Sequence, residues 1–180
     1  MATWNFDSSH SGASFSVRHM MITTVRGGFD QVSGSLEFDL NNPANSSVEA
    51  HIAAASISTG NEQRDAHLRS ADFLNADEYP TLHFKSTKVV MTGENTAKIH
   101  GDLNIRGKAL PVVLEAEYLG ENTSPYGDQR IGFIANTKIN REDWGLTWNV
   151  PLAQGGVLVG KEISISLDIQ AVLVTEKSMA

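Results

Sequence analysis

The 180-residue sequence contains no cysteine. That absence excludes disulfides, Cys-ligated zinc, iron–sulfur clusters and thiol nucleophiles, and it fits a reducing compartment. Basic residues are scarce: 14 Lys and Arg face 21 Asp and Glu, a formal charge of −7. A binder of phosphate backbones needs a Lys/Arg field, so no nucleic-acid partner is expected. No apolar run approaches the ~18 residues of a membrane-spanning helix, so no integral membrane segment is expected either. The stretch Met1-Ala2-Thr3-Trp4-Asn5-Phe6-Asp7 has neither a basic nor an apolar leader region. No signal peptide is therefore predicted and a cytoplasmic location is expected; a start trimmed of its leader would belong to a periplasmic protein. Gly-x-Ser-x-Gly, His-Glu-x-x-His and EF-hand patterns are missing, and Gly27-Gly28 and Gly155-Gly156 are isolated pairs rather than phosphate loops.

What is present is alternation. Apolar residues recur at every second position through Ile163–Leu173, Ala97–Ile105 and Val112–Tyr118, and through Ile131–Ile139 with Thr137 as the polar member. Shorter alternations cover Leu36 and Phe38, Val48 to Ala54, Leu82 and Phe84, Trp4 and Phe6, and Phe15 and Val17. This is the pattern of strands buried on one face, which argues for antiparallel pairing. Turn residues lie between the runs at Asn41–Asn45, Arg106–Pro111 and Ser124–Asp128. The chain reads as all-β, with about eight strands in a barrel or a sandwich. One domain over residues 1–175 and a frayed tail over 176–180 are expected.

One segment breaks the pattern. Helix formers dominate from Asn61 to about Leu74, and Thr59 and Glu62 have capping-box spacing. A short helical insertion over about residues 61–74 is predicted, starting near Gly60, with Leu68, Ala71 and Leu74 on its buried face. Pro80 ends it.

Six histidines raise the question of a metal. His51, His83 and His100 fall on the polar sides of their strands and are expected in solvent. Asp65 and His67 are two residues apart and point about 200° apart on a helix. No metal site is therefore expected. Asp65, His67, Asp72 and Arg141 could form an acid–base group, or could simply cap and pair loops. Two of the three tryptophans, Trp144 and Trp148, lie in the segment Asn140–Asn149. They form either a packed corner or the aromatic wall of a cavity.

From Trp4 to Val174 the chain carries four ordered blocks. The first is Trp4-x-Phe6-Asp7 with His10-Ser11, Phe15-Ser16-Val17-Arg18-His19-Met20 and Val25-Arg26-Gly27-x-Phe29. The second is Arg64-Asp65-Ala66-His67-Leu68-Arg69-Ser70-Ala71-Asp72-Phe73-Leu74, continued by Tyr79 to Ser86. The third is Gly101-Asp102-Leu103-Asn104-Ile105-Arg106-Gly107 with Pro111-Val112, and the fourth is Ile139-Asn140-Arg141-Glu142-Asp143-Trp144-Gly145-Leu146. In these blocks and their order the chain resembles the YceI-like, polyisoprenoid-binding family.

The resemblance implies an extended antiparallel, lipocalin-like barrel of about eight strands with a long apolar cavity. It implies an amphiphilic lipid ligand with an isoprenoid-type tail, such as an isoprenoid quinone or a polyprenyl phosphate, held by a carrier, buffer or sensor. Many relatives are exported to the periplasm behind a signal peptide. No catalytic residue set carries over. An eight-stranded barrel can hold one small ligand or be filled by side chains. Here small inward residues (Ala50, Ala54, Gly101, Ala116, Ala135) favour space. The expected tail-lining residues are Phe15, Val17, Phe29, Leu36, Phe38 and Ile52, then Leu68, Phe73, Phe84, Leu103, Phe133, Trp144 and Trp148. Arg64, His67 and Arg141 are the head-group candidates. No cofactor beyond such a lipid is expected, and a homodimer is the expected self-association. Two rival readings are an enzyme acting on a lipid or small hydrophobic substrate through Asp65, His67 and Arg141, and a solid barrel that is a ligand-free interaction module. The helical segment can serve as a mobile lid or as a fixed plug.

Overall fold

A computed structural model describes residues 1–175; the tail expected over 176–180 lies outside them. The alternating runs form eleven strands, all paired antiparallel. In chain order they are β1 (Ala2–Phe6), β2 (Gly12–His19), β3 (Thr23–Phe29), β4 (Val32–Phe38), β5 (Ser47–Ala53) and β6 (Ile57–Ser58). A helix, α1 (Glu62–Arg69), precedes β7 (Thr81–Met91), β8 (Thr96–Ile105), β9 (Lys108–Thr123), β10 (Gln129–Asn140) and β11 (Val159–Leu173). Eight of the strands close a ring in the order β1-β4-β5-β7-β8-β9-β10-β11, sealed by β1 against β11. The fold is an all-β, closed eight-stranded antiparallel barrel with one short helix.

The other three strands follow from the length of β11. Its C-terminal end pairs with β1, Phe6 opposite Ala171. Its N-terminal half pairs with β2 on the same edge, Ile165 opposite Phe15. The turn Ser8–His10, capped by the Asp7 carboxylate on Ser9 N, breaks one long strand into these two pieces. β3 and β6 then extend that edge.

Two irregularities decide which side chains face inward. In β7 the register shifts between Ser86 and Lys88. Leu82 and Phe84 face the interior before it, and Val89 and Met91 after it, because one extra residue reverses the two-residue alternation. A second shift sits opposite β9, between Gly132 and Phe133, and leaves Leu119 exposed beside the inward-facing Tyr118.

The helix is shorter than its spacing predicts. Asn61, not Thr59, caps it: the Asn61 side-chain oxygen accepts from Arg64 N at 3.0 Å. Thr59 instead donates from its backbone N and its Oγ1 to the buried Asp65 carboxylate, at 2.9 and 2.5 Å. Ser70 ends the helix, its hydroxyl donating to His67 O at 2.6 Å. The chain then folds back in turns, with Leu74 N on Leu68 O and Ala76 N on Arg69 O. Because the helical repeat stops at Arg69, Ala71 is exposed, and Phe73, Leu74 and Ala76 become the buried residues.

Apolar packing falls into two clusters. The larger joins Phe73, Leu74 and Ala76 to Leu82, Phe84, Ile105, Leu114, Ile139, Trp144 and Leu146. The smaller centres on Trp4, Leu36, Ile131 and Ala171, where the ring is sealed. No helix among the described residues is long and apolar enough to cross a membrane.

Candidate ligand cavity

Between the two clusters the barrel is not filled by side chains. It encloses a cavity of about 520 Å³, inside the range of about 300–1,000 Å³ usual for small-molecule sites. Inward side chains of the ring strands and of β2 and β3 form its wall. The floor is the helix end of the barrel, where Phe73, Leu74, Trp144, Arg141 and Leu146 are all buried. The opposite end is a mouth. There the exposed Leu40, with Pro43 and Ser46 of the β4–β5 loop, borders the opening together with the exposed Glu94 and Asn95 of the β7–β8 turn and Thr96 at the start of β8. Asn95 O accepts from Tyr118 N at 2.8 Å, which anchors that turn to the wall. Burial, with Glu121 nearby, raises the pKa of the Tyr118 phenol, so it stays a neutral lining group.

Twelve of the tail-lining candidates border this cavity: Phe15, Val17, Phe29, Leu36, Phe38, Ile52, Leu68, Phe73, Phe84, Leu103, Phe133 and Trp144. Trp148 does not. It packs against the main cluster and lies edge-on to His67, ring centroids 4.6 Å apart. Ala50, Ala116 and Ala135 do open space. Gly101 does not, because its missing side chain is replaced by the Phe84 ring: an added Cβ would overlap Phe84 Cζ. Ala54 is fully buried away from the cavity.

The three head-group candidates are committed elsewhere. Arg64 is outside the cavity and donates from Nε to Thr59 Oγ1 and from Nη2 to Thr59 O, at 2.7 and 2.8 Å. His67 is also outside, with Nε2 2.9 Å from Asp72 Oδ2. Arg141 borders the floor, but its guanidinium donates to Gly160 O (2.8 Å), Leu146 O (2.6 Å), Trp148 O (3.1 Å) and Val159 O (3.2 Å). Of the four acid–base candidates the structure brings together His67 and Asp72, outside the cavity, while Asp65 is held by Thr59 and Arg141 by carbonyls. Trp144 Nε1 donates to Leu103 O at 2.9 Å and closes the floor.

The sequence pattern missed the mouth. Leu40 lies in a loop without periodicity, and Val89 and Met91 are out of phase with Leu82 and Phe84 across the shift in β7. The composition of Val89-Val90-Met91 was a signal, but its parity was not.

Residues 4–171 match the model of the YceI-like domain. A UPF0312 protein of Staphylococcus aureus strain N315 is 37% identical over 164 residues, covering 91% of this chain and 93% of that protein. The crystal structure of a Campylobacter jejuni YCEI protein aligns with a TM-score of 0.73 at 29% identity, covering 88% of this chain and 90% of that one. A polyisoprenoid binding domain from Saccharophagus degradans shares the fold, with a TM-score of 0.69 at 14% identity over 97% of this chain and all (100%) of its own.

Proposed function

The chain belongs to the YceI-like domain family, and from that premise we propose that it binds an amphiphile with an isoprenoid-type tail inside its barrel, as a carrier, buffer or sensor rather than as an enzyme. The observation that carries this reading is the cavity: a space of about 520 Å³ whose wall is almost entirely carbon. Each CH₂ moved from water onto such a wall contributes ~0.8 kcal/mol. A tail of two or three isoprene units thus supplies several kcal/mol before the cost of association. The polyisoprenoid binding domain from S. degradans houses its function in the same fold.

The mouth narrows the head group. Glu94 and Arg141 are the charged residues on the lining, and Arg141 sits on the floor with its donors on carbonyls. Ser46, Ser47, Asn95 and Thr96 offer hydroxyls and an amide at or near the mouth. An uncharged head such as a quinone suits this rim better than a phosphate, which needs donors of positive charge. Lipid extraction of the purified protein followed by mass spectrometry tests the reading. A stoichiometric isoprenoid amphiphile is expected, with quinone enriched over polyprenyl phosphate. A lipid mixture no different from that on an unrelated soluble protein would contradict it.

A further inference from the structure

The outer face of the same wall carries a second arrangement, independent of the lipid reading. β5 and β7 pair with His51 directly opposite His83 and Glu49 opposite Lys85. Their neighbours Ala50, Ile52, Leu82 and Phe84 line the cavity, so by strand alternation Glu49, His51 and His83 share the outward face. The two imidazole rings lie 4.7 Å apart at 35°. Both Nε2 atoms converge on one oxygen: His83 Nε2 is 2.7 Å and His51 Nε2 3.7 Å from Glu49 Oε1. All three ligand atoms fall within 4.8 Å of one another.

We propose that Glu49, His51 and His83 form a binding site for a divalent transition-metal ion of the Zn²⁺ class. Two imidazoles and one carboxylate are a donor set that suits zinc and leaves one position for water. Bonds of about 2.0–2.2 Å in tetrahedral geometry place neighbouring ligand atoms about 3.3 Å apart. The 2.7 Å contact must therefore open and the 3.7 Å contact close by a few tenths of an ångström each. Rotation of side chains that are a third to a half exposed supplies such movements. The strand ladder meanwhile fixes the Cα positions, so the site stands on rigid elements. Lys85 is the cation beside Glu49 and weakens the site, while Asp102 stands opposite Lys85 on β8 and offsets it. Imidazole must be neutral to ligate, so protons compete with the ion for this site. The bound ion ties β5 to β7 and stabilises that wall by mass action. The individual histidines were visible in the sequence, but the register that sets His51 opposite His83 was not.

The test is calorimetric titration of the whole chain with ZnCl₂ at about pH 7.5, paired with visible absorption after Co²⁺ substitution. The expected result is one equivalent per chain and the ligand-field bands of a four-coordinate site. H51A and H83A should each weaken binding about tenfold or more, E49Q should also weaken it, and H67A and H100A should leave it unchanged. In the wild-type protein Zn²⁺ should protect His51 and His83 from diethyl pyrocarbonate, which needs no variant to fold. Absence of saturable uptake, uptake unchanged in the H51A/H83A double variant, or equal labelling of His51 and His83 with and without Zn²⁺ would each overturn the site.

Discussion

Arg141 places a cationic side chain where only 4% of its surface is exposed and satisfies it with four carbonyls of the segment that follows it, Leu146 to Gly160. Burial lowers its pKa, which the nearby Glu142 partly opposes. The residue thus pins the Trp144–Val159 connection across the cavity floor. An Arg141→Met variant leaves those carbonyls without donors, at about 1–3 kcal/mol for each one that stays buried. Chemical denaturation should show a loss of at least ~3 kcal/mol, with ligand affinity kept in the folded fraction. Preserved stability together with lost affinity would instead return Arg141 to the head-group role. Asp7 is a second such position. Hydrogen bonds from Ser9, His10 and Arg130 hold its carboxyl well below the usual carboxylate range, and Arg130 also grips Asp128 at 3.0 Å. A carboxyl whose folded pKa is depressed adds stability above its unfolded value of about 3.9 and loses it as pH falls toward the folded one. Asp7→Asn should therefore cost roughly 1–3 kcal/mol at neutral pH. In denaturation curves the gap to wild type should close steadily below about pH 4; a gap independent of pH would contradict this.

At the scale of elements, the packing of α1 and its following turns favours the plug over the lid. Phe73, Leu74 and Ala76 belong to the main core cluster, Arg106 Nη1 donates to Phe73 O at 3.1 Å, and the mouth of the cavity is at the other end of the barrel. Replacing Phe73 by alanine should cost about 3–5 kcal/mol of stability, with little change in the rate at which bound lipid exchanges. A variant that folds normally but exchanges lipid faster would make this segment a gate. Gly107 adds a second check. It sits at φ +76°, and a Cβ there would approach Tyr79 Cε1 to 2.7 Å, so Gly107→Ala should lower the thermal midpoint by several degrees. The existence of this element was legible, since it is the long break in the alternation. Its length was not: Asn61 and Thr59 are both competent caps, and what selects Asn61 is a local contact that composition does not rank, the capture of Thr59 by the buried Asp65 six residues on. The lost parity of β7 has a longer-range cause. A bulge is set by strand pairing, and composition around Ser86 and Lys88 does not mark it.

For the whole molecule, one-sided alternation in about eight runs pointed to an antiparallel all-β architecture, since doubly buried parallel strands read as continuous apolar runs. That the barrel is hollow was legible in part, from its small inward residues, but which of them leave space was not. Ala50, Ala116 and Ala135 leave space, yet Gly101, equally small and equally inward, is filled by Phe84, and only the placement of strands separates the two cases. The hollow interior is the central claim, and it makes an unusual demand on mutation. Enlarging a residue that borders the cavity should block the ligand without harming the fold, whereas in a packed core the same change costs about 1–3 kcal/mol. The direct test is a fluorescence titration of wild-type protein and an Ala116→Phe variant with a short-chain isoprenoid quinone, alongside their denaturation curves. The account predicts saturable one-to-one binding by the wild type, a loss of about tenfold or more in the variant, and equal or greater stability of the variant. A destabilised variant that still binds as tightly as wild type would contradict it.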